Sequence, residues 1–213
     1  MLPESCCAGW RRTLLVAKPS LSGYNSAHLF FLASCLSVMI DLAKHVRAIP
    51  DFPKPGILFY DITTLIQRAE TFRETVRQLA GVVKEWGPVD LIAAPEARGF
   101  IFAAPLAFEL GVGLVPIRKP EKLPFTTISK SYALEYGTNT IQIHSDAIQP
   151  GNRVLLLDDL LATGGTMEAS RQLIEELGGT VVGAAFVIEL LALKGREKIN
   201  TPNIQSLLQF EYC

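Results

Sequence analysis

Two adjacent carboxylates, Asp158 and Asp159, follow four apolar residues and precede Leu160-Leu161-Ala162-Thr163-Gly164-Gly165-Thr166. In isolation an Asp-Asp pair is an ordinary helix cap or turn. Here residues 154–157 read as a buried strand that delivers the pair to its outlet, where a glycine-containing loop opens a helix. Backbone N–H groups at a helix start, aided by the helix dipole and by the hydroxyls of Thr163 and Thr166, suit a phosphate. Gly164 and Gly165 let the backbone approach it closely. No Lys follows the glycines and no G-x-x-x-x-G-K-[ST] occurs, so nucleoside-triphosphate hydrolysis lacks its main motif. A phosphate monoester is the expected ligand.

Positive groups stand at two other strand outlets. Arg98-Gly99 follows the apolar residues 89–94 and offers a fork-shaped donor beside a backbone that an anion can approach. Arg118, Lys119 and Lys122 gather after residues 114–117. Any one of them alone would pass as a solvated charge, whereas all three at one strand exit point to a polyanion. His28, His45 and His144 have no ligand-like spacing, and no Cys–His cluster suggests a transition metal.

Residues 154–166 resemble the phosphoribosyl-pyrophosphate signature of type I phosphoribosyltransferases. Four further stretches narrow the resemblance to the adenine phosphoribosyltransferases: Phe52-Pro53-Lys54-Pro55-Gly56-Ile57-Leu58-Phe59, Glu96-Ala97-Arg98-Gly99-Phe100, Arg118-Lys119-Pro120-Glu121-Lys122-Leu123-Pro124 and Leu134-Glu135-Tyr136-Gly137. The similarity spans residues 40–212. It implies that Asp158 and Asp159 hold the ribose hydroxyls, and that Ala162, Thr163, Gly164, Gly165 and Thr166 hold the 5'-phosphate of phosphoribosyl pyrophosphate (PRPP) or AMP. Pyrophosphate would meet Arg98, Gly99, Arg118, Lys119, Lys122 and Tyr136, in a loop with a cis peptide at Glu96-Ala97. Leu58, Phe59 and Tyr60 would border the base. A lid over residues 122–137 would carry Glu135 as the general acid at the imidazole edge of adenine. Magnesium would enter mainly on PRPP or pyrophosphate and water, with no direct protein ligand. The resemblance also implies a cytoplasmic homodimer with adenine, PRPP, AMP and pyrophosphate as its small-molecule partners, and neither nucleic acid nor membrane among them. Two positions depart from the family pattern, because Tyr60 stands where many members carry Arg and Glu121 where Gly is usual. Two rivals remain: the same chemistry on hypoxanthine, guanine or xanthine, and a PRPP sensor that regulates transcription. The sensor requires a DNA-binding partner domain, for which no basic helix pair is present.

These groups need a frame to hold them. Residues 70–86 carry apolar side chains at helical spacing, residues 89–94 read as a strand, 100–110 as a helix and 114–117 as a second buried strand. Residues 122–149 are polar and read as a mobile arm containing a hairpin. A third strand at 154–157, a helix at 166–177 and a fourth strand at 181–188 complete the pattern. Strands alternating with helices imply an α/β fold: a parallel twisted sheet flanked by helices, with ligands beyond the carboxyl ends of the strands.

A chain of 213 residues, 49% hydrophobic and 19% charged, has material for one core. Twenty Lys and Arg against 21 Asp and Glu leave a charge of -1, so no global basic field recruits nucleic acid or anionic lipid. The cysteines are Cys6, Cys7, Cys35 and Cys213, which argues against a disulfide framework and for a reducing compartment. Residues 1–38 hold three of these four and, against Glu4 alone, Arg11, Arg12 and Lys18. Residues 27–40 are apolar but too short to span a bilayer as a helix; they resemble a signal-peptide core, and Leu32-Ala33-Ser34-Cys35 a lipoprotein cleavage box. The cysteine-free body does not support secretion. The expectation is an extension at 1–38 and a catalytic domain at 39–213.

Overall fold

A computed structural model describes residues 40–133 and 137–211. The expected extension and the lid residues Leu134, Glu135 and Tyr136 lie outside the described residues. A 3-10 turn at Leu42–His45 leads into β1 (Arg47–Ile49), which pairs antiparallel with β2 (Phe59–Asp61). Next come α1 (Thr63–Ile66), α2 (Ala69–Glu85), β3 (Leu91–Pro95), α3 (Arg98–Leu110) and β4 (Gly113–Ile117). The polar region folds as an antiparallel hairpin of β5 (Thr127–Ala133) and β6 (Thr138–His144). Then follow β7 (Arg153–Leu161), α4 (Gly165–Glu176), β8 (Thr180–Leu190), 3-10 turns at Leu191–Leu193 and Gly195–Lys198, and β9 (Ile204–Phe210).

The central sheet runs β4-β3-β7-β8-β9 and every pairing in it is parallel. Alternation along β7 explains its continuous apolar sequence. Leu155 and Leu157 pack with Leu79 and Val83 of α2 and with Phe102 and Leu106 of α3 on one face. Val154 and Leu156 pack with Leu173 and Ile174 of α4 and with Ile141 and Ile143 of the hairpin on the other. In α2 the buried side is lined by Thr71, Thr75, Leu79, Ala80 and Val83. The two buried hydroxyls are satisfied locally, Thr71 Oγ1 donating to Leu65 O at 2.5 Å and Thr75 Oγ1 to Thr71 O at 2.8 Å.

Several elements differ from the sequence reading, which has no counterpart for β1, β2 or α1. β7 continues past Leu157, with Asp158 paired to Phe186, Leu160 to Ile188 and Leu161 to Glu189. Its pairing with β3 ends at Leu156, so Asp158 and Asp159 lie beyond the last β3 partner, on a strand still held by β8. α3 starts at Arg98 rather than at residue 100, and β9 has no counterpart in the sequence reading. Polar Gln205, Ser206 and Gln209 interrupt the apolar signal of that edge strand.

Candidate active site

A cavity of about 210 Å³ opens where β3, β4 and β7 end, bordered by Glu96, Arg98, Lys119, Asp158, Asp159 and Thr166 among others. Gly99 allows this convergence. A Cβ there would stand 3.0 Å from Asp158 Oδ1 and 3.2 Å from Leu157 O, so a larger residue would push α3 off β7. Asp158 Oδ1 accepts the Asp159 N–H at 2.9 Å. Asp159 is buried, and Arg98 Nε lies 3.0 Å from its Oδ2. The N–H does not point along that oxygen, so the contact is one of charge and Asp159 Oδ2 accepts no hydrogen bond. Burial, reinforced by the charge of Asp159, raises the Asp158 carboxyl well above its ordinary range. Burial also raises Asp159, against the pull of Arg98. A desolvated acceptor pair of this kind suits hydroxyl donors.

A second cavity of about 70 Å³ adjoins the first and is lined by residues 160–167 and Asp158. Its floor is the start of α4. Gly164 is left-handed at φ 77° and its Cβ position is blocked by the Gly195 carbonyl, while the Cβ position of Gly195 is blocked by the Ala162 carbonyl. The loop therefore rests backbone on backbone against the Gly195–Lys198 turn. That turn is pinned in turn: Arg196 forks onto the buried Glu189, which also accepts from Ser206 Oγ at 2.8 Å. Inside α4, Glu168 accepts Arg171 at 2.8 and 2.7 Å and the Asn200 N–H at 3.2 Å. Hydrogen bonding from Arg171 is the main reason its carboxyl falls to about 2.

The loop before α3 contains a cis peptide at Glu96-Ala97, as the resemblance implies. Arg118 Nε donates to Glu96 Oε2 at 2.6 Å, the Lys119 N–H to Glu96 Oε1 at 3.1 Å, and Arg118 Nη1 to Lys122 O at 3.2 Å. Burial raises the Glu96 carboxyl, but these donors outweigh it and the net shift is downward. Arg118 thus joins two loops, and Lys119 borders the cavity. The Lys122 side chain is not among the cavity's lining. Phe59 meets Phe52 edge to face at 5.2 Å, and the Arg98 guanidinium lies 5.8 Å from its ring centre. Arg98 consequently touches both the Phe59 segment and the carboxylate pair.

A family model described as a phosphoribosyl transferase domain matches residues 65–208. The adenine phosphoribosyltransferase of Carboxydothermus hydrogenoformans is 55% identical over 171 residues, which is 80% of this chain and the whole of that protein. The chain belongs to the adenine phosphoribosyltransferases. A crystal structure of the Thermoanaerobacter pseudethanolicus member, 51% identical, superposes with a TM-score of 0.78 over 81% of this chain and all of that one. The Saccharomyces cerevisiae member, solved with an imino-altritol bisphosphate and adenine, is 37% identical with a TM-score of 0.76, covering 79% of this chain and 97% of that one.

Within this adenine phosphoribosyltransferase both departures have a structural reading. The Tyr60 ring stacks on Phe210 at 4.3 Å and its hydroxyl donates to Glu211 O at 3.3 Å. The side chain is therefore engaged with the C-terminal strand. Glu121 is left-handed at φ 66°, the conformation that Gly adopts without steric cost. Sequence reasoning missed Tyr132 and Asn139, which line the cavity from the hairpin, and the Glu189–Arg196 brace. The hairpin's alternation was a signal for the first two; no local motif announces the third.

Proposed function

We propose that this chain transfers the phosphoribosyl group of PRPP to adenine, forming AMP and pyrophosphate in purine salvage. The observation that carries this reading is the convergence on two adjoining cavities, which share Asp158 and Thr166, of two desolvated carboxylates, a glycine-floored helix start, and Arg98 with Lys119. Departure of pyrophosphate leaves positive charge on the ribose ring, and anionic surroundings favour that state over the ground state. Asp158 and Asp159 hold the ring diol and supply negative potential; Ala162, Thr163, Gly164, Gly165 and Thr166 anchor the 5'-phosphate. Arg98, Gly99, Arg118 and Lys119 take the pyrophosphate, joined by Lys122 and Tyr136 of the lid, and Arg118 also holds that loop through Glu96. The backbone around Leu58, Phe59 and Tyr60 borders adenine, and Glu135 handles the proton at the imidazole edge.

Magnesium fits these groups. Asp159 Oδ2, a buried oxygen that accepts no hydrogen bond, suits a donor such as a metal-bound water or a ribose hydroxyl. The ion is read as carried by the oxygens of PRPP or pyrophosphate and by water. When bound, the ion neutralises the leaving pyrophosphate. The enzyme is further read as a cytoplasmic homodimer whose catalytic domain is residues 39–213. Among the described residues no helix is long and apolar enough to cross a membrane.

A turnover assay with adenine, hypoxanthine, guanine and xanthine, with and without magnesium, tests the reaction. Adenine-specific, magnesium-dependent AMP formation is expected; another preferred base, or none, overturns the reading. Removing residues 1–38 is expected to leave turnover unchanged.

A further inference from the structure

The Tyr132 hydroxyl lies 2.8 Å from Thr166 Oγ1, across 34 residues of sequence. Its ring covers the start of α4, where a Cβ on Gly165 would stand 3.1 Å from Tyr132 Cδ2. Two residues earlier on β5, Lys130 Nζ reaches Glu176 Oε2 at 3.8 Å at the other end of the same helix. The hairpin thus lies along the helix whose first turn floors the phosphate cavity. Thr166 borders both cavities, whereas Tyr132 borders only the larger one. Tyr132 is also three residues before Glu135 in the chain.

We propose that Tyr132 is a positioning residue of the 5'-phosphate site, donating its hydroxyl proton to Thr166 Oγ1 so that the Thr166 proton is aimed at the phosphate. Thr166 has one proton and an oxygen that can accept. If Tyr132 donates, Thr166 is left to donate onward, and the two hydroxyls form a relay ending on an anion, each bond polarising the next. The same bond ties the hairpin that leads to Glu135 to the loop that senses the sugar phosphate. This inference rests on the proposed phosphoribosyl transfer.

The test is a double-mutant cycle of Tyr132→Phe and Thr166→Val in the full chain, read by calorimetric binding of ribose 5-phosphate. Tyr132→Phe keeps the ring over Gly165, and its melting temperature is expected to stay near that of the parent. Each single variant is expected to weaken ribose 5-phosphate binding about 5-fold, and the double variant no more than the weaker single one. In turnover the KM for PRPP should rise while the KM for adenine stays unchanged. Additive effects, or a loss of melting temperature without loss of ribose 5-phosphate binding, overturn the proposal. So does tighter binding by Tyr132→Phe, since Thr166 would then be giving its proton to the tyrosine. Ribose 5-phosphate binding needs no turnover, so the cycle still decides this relay if the parent proves inactive on adenine.

Discussion

Arg196 grips the buried carboxylate of Glu189 at two points, Nε to Oε1 at 2.7 Å and Nη2 to Oε2 at 2.6 Å. The pair stands behind the loop proposed to hold the 5'-phosphate and reaches it through the contact of Gly195 with Gly164 and Ala162 and through the pairing of Glu189 with Leu161. Arg196→Ala is expected to leave Glu189 buried with weaker partners, at a cost of about 2 kcal/mol in urea unfolding. The freed turn should raise the KM for PRPP several-fold while leaving that for adenine unchanged. Arg196→Lys, which keeps the charge without the fork, should fall between. Equal changes in both KM values would show that the brace does not act through the phosphate loop.

Asp158 presents the opposite case, a charge that harms stability. Burial and the neighbouring Asp159 raise its carboxyl well above the ordinary value, so the native state binds its proton more readily than the unfolded state. Between the ordinary and the raised value, stability therefore falls as pH rises. Asp158→Asn removes this penalty and is expected to raise the melting temperature at pH 7 while lowering turnover by roughly 100-fold. Asp159→Asn should gain less, because Arg98 loses its counter-charge 3.0 Å away. Thermal unfolding beside steady-state kinetics checks both, and a destabilised Asp158→Asn would contradict the argument.

Much of this site was legible before any geometry. Residues 154–157 are buried on both faces of the sheet, so their unbroken apolar run identified a central strand and the outlet beyond it. Gly99, Gly164 and Gly165 occupy places where backbone must approach backbone or side chain, which is why their types carried information. The rest depends on long-range pairing. Glu189 and Arg196 meet only because the chain turns back after β8, and Ser206 joins them from β9. Tyr132 carries no motif of its own, and only the packing of β5 against α4 brings its hydroxyl to Thr166. The left-handed backbone of Glu121 runs against residue preference and could not be read from its type.

Glu168 supplies an acid limit to stability. Its carboxyl lies at about 2, below the ordinary 4.5, chiefly through the hydrogen bond from Arg171. A depressed carboxyl stabilises the fold above its unfolded value, and that contribution disappears as pH falls toward the folded one. Glu168→Gln is expected to unfold more easily at pH 7 by about 1–2 kcal/mol, allowing for partial exposure. The difference from the parent should shrink steadily between pH 4.5 and about 2. Urea titrations at several pH values measure it, and a gap independent of pH would assign the effect to packing.

Glu135 belongs to the stretch joining Ala133 to Thr138, the last pair of the hairpin before its two strands connect. The hairpin is held to α4 through Tyr132 and Lys130. Glu135→Gln retains size and hydrogen bonding but removes the ionisable proton. If Glu135 is the general acid, the chemical step should fall roughly 100-fold with substrate affinity largely kept. Single-turnover measurement is required, because slow product release can hide that loss in the steady state. The pH profile of the single-turnover rate should also lose the limb that reports protonation of this carboxyl. Should both the rate and the profile stay as in the parent, the lid acts only to exclude water, and the proton must come from solvent or another group.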